Sequence, residues 1–381
     1  MMQTSKVTYQ QLLSLVPNVQ NKSVQWKQIW SLWPELPALD SCPQDPIHHA
    51  EGDVGLHTRM VVEALIAQPD WQGLSEDDRA MLFWAAVLHD IGKPATTQRE
   101  DDGRISARHH ARVGTKMARG LLWEAGAPFA WREGLCDIVS EHLLPFWLIE
   151  KQDHQRLAIL TSWRCRPDFL CLHATADTLG RICADQQGVL DNIALAREVF
   201  SEQGCLSKPY GFANAQSRMA YFDKPDRDPN YAAYEDFRCN VTVMAGLPGA
   251  GKDTWIAANR PDLPVVSLDN IRDEIGAPRT GNQGRVIQAA REKARVYLRA
   301  GQDFVWNATN VTRQMREKSF RLLLDYNAKI EIAYIEVSPD KLFAQNRQRP
   351  SAIPEAALRG LLHKLEPPKA WEAHELIEVV R

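Results

Sequence analysis

The sequence predicts a multi-domain protein, an all-α bundle followed by an α/β domain built on a parallel sheet. Three observations lead there. At 381 residues the chain is long for one domain, so two or three are expected. Residues 46–200 carry apolar side chains at helical spacing, as in MLFWAAVLHDIG and ARVGTKMARGLLWEAG. From Arg238 the texture switches to alternating strand and helix patterns, which argues for a parallel sheet with covered faces.

Taken in order, residues 1–45 read as a helical N-terminal extension ending in the Pro-rich WPELPALDSCPQDP. Residues 46–200 form the helical domain. Residues 201–237 are the expected linker, because KPYGFANAQSRMAYFDKPDRDPNYAAYEDF is rich in Pro, Asp, Asn and aromatics. Residues 238–381 form the α/β domain. CNVTVMAG reads as a buried strand running into a glycine loop, and PVVSLD, DFVWNAT and KIEIAYIEV as further strands. GRVIQAAREKARVYLRAG and TRQMREKSFRLLLDYN read as helices between them.

Seven cysteines, an odd number with no C-x-x-C pair, suggest reduced thiols and a cytoplasmic protein. No window approaches eighteen apolar residues, and MMQTSKVTYQ lacks the apolar core of a secretion signal, so no membrane association is expected. Charge is uneven. From Asn240 onward there are 21 Lys and Arg against 17 Asp and Glu, while the preceding part has 24 against 31. The C-terminal part is thus the better match for a polyanionic ligand.

In the helical half, polar residues stand inside apolar runs. His57 lies in GDVGLHTRMVVEAL, and His89, Asp90 and Lys93 in LFWAAVLHDIGK. His110 lies in RISARHHARVG, His142 in DIVSEHLLPFW, and Asp177 and Arg181 in HATADTLGR. This order resembles the HD superfamily of metal-dependent phosphohydrolases, including the HDIGK tail. Imidazole and carboxylate suit Mn²⁺, Fe²⁺, Co²⁺, Ni²⁺ or Zn²⁺ with positions left open. The resemblance implies His57, His89, Asp90 and Asp177 as core ligands. His110 and His142 would complete a second metal position or contact phosphate. Lys93 and Arg181 would pair with phosphate oxygens, Arg181 as a two-pronged donor. His110 is preferred over His109 because the following A-R-V-G resembles the H-E-x-x-G of relatives. His48, His49, His109 and His173 match nothing and are expected at the surface or behind the ligands.

In the α/β half, GLPGAGKD follows a strand and opens a helix, as a phosphate-binding loop does. Gly246, Gly249 and Gly251 would let backbone N–H groups approach phosphates, with Lys252 reaching the β- and γ-phosphates of ATP or another NTP. Asp253 stands where a serine or threonine hydroxyl would meet Mg²⁺. Either its carboxylate or the Thr254 hydroxyl could serve, or Mg²⁺ is held through water. Asp269 and Arg272 share one helix face after the second strand, at the sheet edge where ligands bind. This pair resembles the acceptor motif of P-loop polynucleotide 5′-kinases, in which the aspartate takes the proton of the attacking 5′-hydroxyl. The arginine there holds the phosphate on the far side of the terminal nucleoside. Ala308-Thr309-Asn310 stands where that group often carries Asp-Thr-Asn, leaving roles for Asn307 and Asn310 open. QNRQRP resembles the lid, with Arg347 expected at the transferring phosphate and Arg349 second. The tail LEPPKAWEAHELIEVV resembles the close of the same group.

Nearly the whole chain thus resembles the bacterial HD-Pnk group of nucleic-acid end-healing enzymes. That resemblance implies an HD half that removes 2′,3′-cyclic phosphate and 2′- or 3′-phosphates using a transition metal. It implies a kinase half that phosphorylates 5′-hydroxyl ends, RNA or DNA ends as partners, and a ligase acting downstream. Two rivals stand beside it. One is an HD nucleotidase fused to a nucleoside or metabolite kinase, and the other a non-catalytic, nucleotide-gated binding module.

Overall fold

The computed structural model describes residues 6–278, 281–349 and 352–381. The chain divides into two compact units, Met1–Gly211 and Phe212–Arg381. The first is helical and the second α/β, as the patterns predict.

In the first unit, Glu76–Leu88 is the central helix, with every residue from Ala80 to Leu88 buried. Its start follows from local chemistry. Ser75 caps it by accepting from Asp78 N at 3.1 Å, and Glu76, Asp77 and Asp78 oppose the helix dipole in the first turn. Its end delivers His89 and Asp90. Val54–Ala67, Phe129–Glu141 and Pro167–Leu179 pack against it, His110–Glu124 lies against Phe129–Glu141 in the same core, and Gln186–Glu202 packs on Pro167–Leu179 in a second, smaller core. A short antiparallel pair, β1 (Gln98–Arg99) and β2 (Ile105–Ser106), precedes His110.

The N-terminal stretch is more than an extension. Leu12, Ile29, Leu36 and Leu39 are fully buried in the same core as the central helix, and Trp84 Nε1 donates to Leu12 O at 3.0 Å. Each such side chain contributes about 1.5–3 kcal/mol by leaving water. Residues 6–45 therefore complete this unit.

The second unit is a five-stranded sheet, all parallel. Its strands are β3 (Cys239–Ala245), β4 (Val265–Ser267), β5 (Phe304–Asn307), β6 (Ala328–Glu336) and β7 (Glu375–Val380), in the order β4-β5-β3-β6-β7. β3 lies at the centre, so the loop after it opens at the middle of the sheet's C-terminal edge. The helices Gly284–Ala300 and Arg313–Asp325 fall where the apolar periodicity places them. β7 was not anticipated as a strand. The pattern expected PVVSLD to run as strand through Asp269, but Ser267 caps a helix, Leu268–Glu274, so Asp269 stands in its first turn.

The expected linker is divided between the units. Leu206 O accepts from Asp168 N at 2.9 Å and Tyr210 O from Trp163 Nε1 at 3.0 Å, fixing residues up to 211 in the first unit. Ala215–Asp223 is a helix of the second unit. Arg218 Nη2 donates to Ala373 O at 2.6 Å, and Phe222 stacks on Trp371 with centroids 5.1 Å apart. All seven cysteines are free thiols, and among the described residues no helix is long and apolar enough to cross a membrane.

Candidate functional site

In the helical unit, two close backbone approaches assemble a cluster. A Cβ on Gly92 would lie 2.3 Å from His110 O and 2.6 Å from Gly114 N, so the turn after Asp90 sits directly on the helix that begins at His110. A Cβ on Gly180 would lie 2.5 Å from Val61 N, which brings the end of Pro167–Leu179 against the helix carrying His57. Asp90 occupies the centre. Its Oδ2 lies 2.7 Å from Lys93 Nζ, 3.1 Å from His89 Nε2 and 3.8 Å from His57 Nε2, and its Oδ1 lies 3.3 Å from His110 Nε2. His57 Nε2 is 3.2 Å from Asp177 Oδ1, and Arg181 Nη2 donates to the same oxygen at 2.6 Å. His110 Nε2 and His142 Nε2 are 3.3 Å apart.

The ring nitrogens facing away are tied to backbone oxygens. His89 Nδ1 pairs with Ala86 O at 2.8 Å, His110 Nδ1 with Ala107 O at 2.7 Å, and His142 Nδ1 with Val139 O at 2.8 Å. These bonds fix the tautomer and leave each Nε2 as a lone-pair donor toward the centre. His89 Nε2 and Asp90 Oδ1 are buried and make no hydrogen bond among the described residues. Polar atoms left so cost about 1–3 kcal/mol each unless something binds them. Two sets of three ligand atoms, from His57, His89 and Asp90 and from Asp90, His110 and His142, each lie within 4.8 Å. Nitrogen and carboxylate donors gathered this way fit a divalent transition metal, with Asp90 shared by two positions.

The electrostatics of His110, His142, Asp90 and Asp177 agree. Burial pushes His142 and His110 down, which favours the neutral, ligating form of each. Burial opposes the charge on Asp90 and Asp177. His89 and Lys93 beside the one, and Arg181 and His57 beside the other, hold both carboxyls well below the usual carboxylate range. His57 is raised despite burial, because Asp177 and Glu51 favour its charged form.

In the α/β unit the glycine loop adopts left-handed backbone at Gly246, Gly249 and Gly251, with φ of 136°, 84° and 99°. At Gly246 a Cβ would also lie 2.3 Å from Ile335 O, so only glycine fits there. Lys252 Nζ folds back to donate to Gly246 O at 3.0 Å and Leu247 O at 3.1 Å. Burial, with help from Arg349, brings its pKa down to about 8 against the attraction of Asp253. A cleft of about 790 Å³ opens over the loop, and Lys252, Asp253, Thr254, Asp269, Arg272 and Arg349 line it. The Asp269 carboxylate is 65% exposed and pairs with Arg272 Nη1, while Arg272 Nε donates to Gln283 Oε1 at 3.0 Å.

Residues 54–162 match the HD domain family, and residues 241–368 match an AAA domain family. The chain thus joins a region matching the HD domain, in its helical unit, to one matching the AAA domain, in its α/β unit. Two relatives, both called Multifunctional CCA protein, illustrate the reach of the likeness. That of Hahella chejuensis is 30% identical over 162 residues, covering 41% of this chain and 36% of its own. That of Pseudomonas fluorescens Pf0-1 is 40% identical over 99 residues, covering 26% of this chain and 21% of its own. The chain thus spans about a third or less of these relatives. A solved sugar kinase of Janibacter shares 18% identity over 37% of this chain and 85% of its own, at a TM-score of 0.30.

Several expected residues fall differently within these domains. Arg347 is exposed at the end of Pro339–Gln348 and does not line the AAA-domain cleft, whereas Arg349 does. Asn310, at φ 45°, is buried and donates to Met244 O at 2.8 Å, pinning the loop after β5 to β3. In the HD domain, His109 is exposed while His110 enters the cluster. His173, expected at the surface or behind the ligands, takes the second of these places. It is fully buried, 5.3 Å from the His89 ring, and burial lowers its pKa to about 3. Glu51 and Gln44 were missed altogether. Glu51 Oε1 lies 2.9 Å from His57 Nδ1 and 2.8 Å from His49 Nδ1, and Gln44 Oε1 accepts from Lys93 Nζ at 2.7 Å.

Proposed function

We propose that the chain heals broken nucleic-acid ends, with RNA or DNA ends as substrates and a ligase acting downstream. The carrying observation is that Asp269 and Arg272 share one cleft with Lys252, on a chain that also holds the HD cluster.

In the AAA domain, loop N–H groups and Lys252 hold the donor phosphates of ATP or another NTP. Asp253 or Thr254 would hold Mg²⁺. The exposed Asp269 carboxylate accepts the proton of an incoming 5′-hydroxyl. Arg272 then exchanges Asp269 for the phosphate on the far side of the terminal nucleoside. Arg349, half-buried beside Lys252, faces the transferring phosphoryl group.

In the HD domain, His57, His89, Asp90 and Asp177 would hold a transition metal such as Mn²⁺, Co²⁺, Ni²⁺ or Zn²⁺, and His110 and His142 with Asp90 a second. Such an ion, when bound, activates water near neutral pH. Lys93 and Arg181 orient the phosphate of a 2′,3′-cyclic, 2′- or 3′-phosphate end.

The test is one oligonucleotide with a 5′-hydroxyl and a 2′,3′-cyclic phosphate, assayed at both ends across several metals. Both ends should change, and free nucleosides should be poor phosphate acceptors. Faster phosphorylation of free nucleosides would point instead to a small-molecule kinase and sink this reading.

A further inference from the structure

The HD-domain cleft, about 330 Å³, has two unlike parts. Its floor carries Asp90, Asp177, Lys93 and Arg181, and one side is apolar, with Leu143, Phe146 and Trp147. Trp147 is 48% exposed, whereas the other eleven tryptophans are buried or half-buried.

Local structure explains why it faces out. The chain passes from the short helix Leu144–Trp147 into a 3₁₀ turn, Leu148–Glu150. Phe146 at 2% exposure and Leu148 at 0% are buried on either side of it. Phe146, not Trp147, supports Arg181, whose guanidinium carbon lies 4.8 Å from its ring centroid. An indole held at the mouth of a charged cleft leaves a large apolar face in water, which folding alone does not favour.

We propose that Trp147 is a stacking platform for the base of the terminal nucleotide whose phosphate the HD cluster holds. This rests on the phosphoesterase reading of that cluster. The cleft volume is at the small end for ligand pockets, which suits a single nucleotide unit. The pairing of a floor that holds Lys93, Arg181 and the candidate metal ligands with one aromatic wall matches a phosphate joined to a base. Stacking tolerates any base, since each has a π-face, so the platform would select nucleotide ends without reading sequence.

The test compares oligonucleotides ending in a 3′-phosphate on a normal or an abasic terminal residue. Equilibrium binding and hydrolysis by the full-length, metal-loaded protein are measured separately. Wild type should prefer the base-bearing end. Trp147→Ala should reduce that preference about tenfold in Kd and KM, the order of one lost base–aromatic stack. Trp147→Phe should retain most of it. Equal binding of the two ends by wild type, or a preference unchanged in Trp147→Ala, would overturn the inference. Trp147-dependent binding without hydrolysis would uphold the platform and refute the phosphoesterase reading instead.

Discussion

Asn307 donates its side-chain amide to the Asp253 carboxylate across 2.7 Å. This answers a difficulty posed by the loop, which carries an anion where a neutral hydroxyl is usual. The amide at the end of β5 satisfies one carboxylate oxygen and leaves the other free toward Mg²⁺. Removing it returns the full repulsion between Asp253 and nucleotide phosphate. Asn307→Ala should therefore raise KM for the nucleotide several-fold while kcat stays within about threefold, the pattern of lost ground-state binding. Steady-state kinetics at varied nucleotide and Mg²⁺ would show it, and an unchanged KM would mean the pair is incidental.

The two sites belong to separate compact units, so their chemistries should separate by mutation. Lys252→Ala and Asp269→Ala should each lower phosphate transfer at least about a hundredfold, while phosphoester hydrolysis stays within twofold. His89→Ala and Asp90→Ala should do the reverse. Assays of both ends on each purified, folded variant decide it. Joint loss from any single change would show that the sites depend on each other.

Arg347 and Arg349 make a sharper pair. The helix Pro339–Gln348 ends before Arg349, whose backbone is extended at φ −77° and ψ 139°. That change of direction carries Arg349 to the cleft and leaves Arg347 in solvent. Arg349→Ala should reduce kcat for transfer by about 10²-fold or more, in the range of a lost transition-state arginine, and Arg347→Ala by less than about threefold. The opposite ranking would mean that the segment rearranges when substrate binds.

The same pair shows what sequence can convey. An arginine-rich turn was legible in QNRQRP, but which arginine faces inward depends on where a helix stops. The HD residues were legible because their order along the chain survives as a pattern. Glu51 was not, because it bridges His57, His49 and the Ile182 backbone N–H, which lies 131 residues away. The core role of the N-terminal helices escaped for another reason. Tyr9–Ser14 and Trp26–Trp30 are too short to display helical periodicity, so their place in the core appears only in three dimensions. β7 hid likewise, because its mixed burial lacks the apolar run of β3.

Glu51 leads to a prediction of its own. Its side chain is fully buried, and it faces the one ring nitrogen of His57 that points away from the cluster. A carboxylate behind a ligating imidazole fixes the ring and raises its basicity, and losing such a partner typically costs 10–100-fold in metal affinity. Glu51→Gln should weaken divalent-metal binding by about that factor, read by calorimetric titration of metal-free protein. Nucleotide affinity should be unaffected. Metal affinity equal to wild type would restrict Glu51 to packing.

Lys252 carries a pH dependence whose sign can be worked out. Burial and Arg349 bring its pKa to about 8 from the ordinary lysine value of 10.5. Below pH 8 the ammonium is present to meet the nucleotide. Above pH 8 the amine is largely neutral in the free protein, and triphosphate, which favours the charged form, must bind together with a proton. Affinity for nucleotide should then fall with rising pH, by at most about tenfold per unit. Folding responds in the opposite sense. Between about 8 and 10.5 the unfolded chain holds the Lys252 proton and the native protein does not, so this group's contribution to stability increases with pH. Calorimetric nucleotide titrations in buffers of different ionisation heat separate the effects. Proton uptake should be near zero at pH 7 and approach one at pH 9, and it should vanish in Lys252→Met. Equal proton uptake at both pH values would show that the Lys252 ammonium is not what the nucleotide meets.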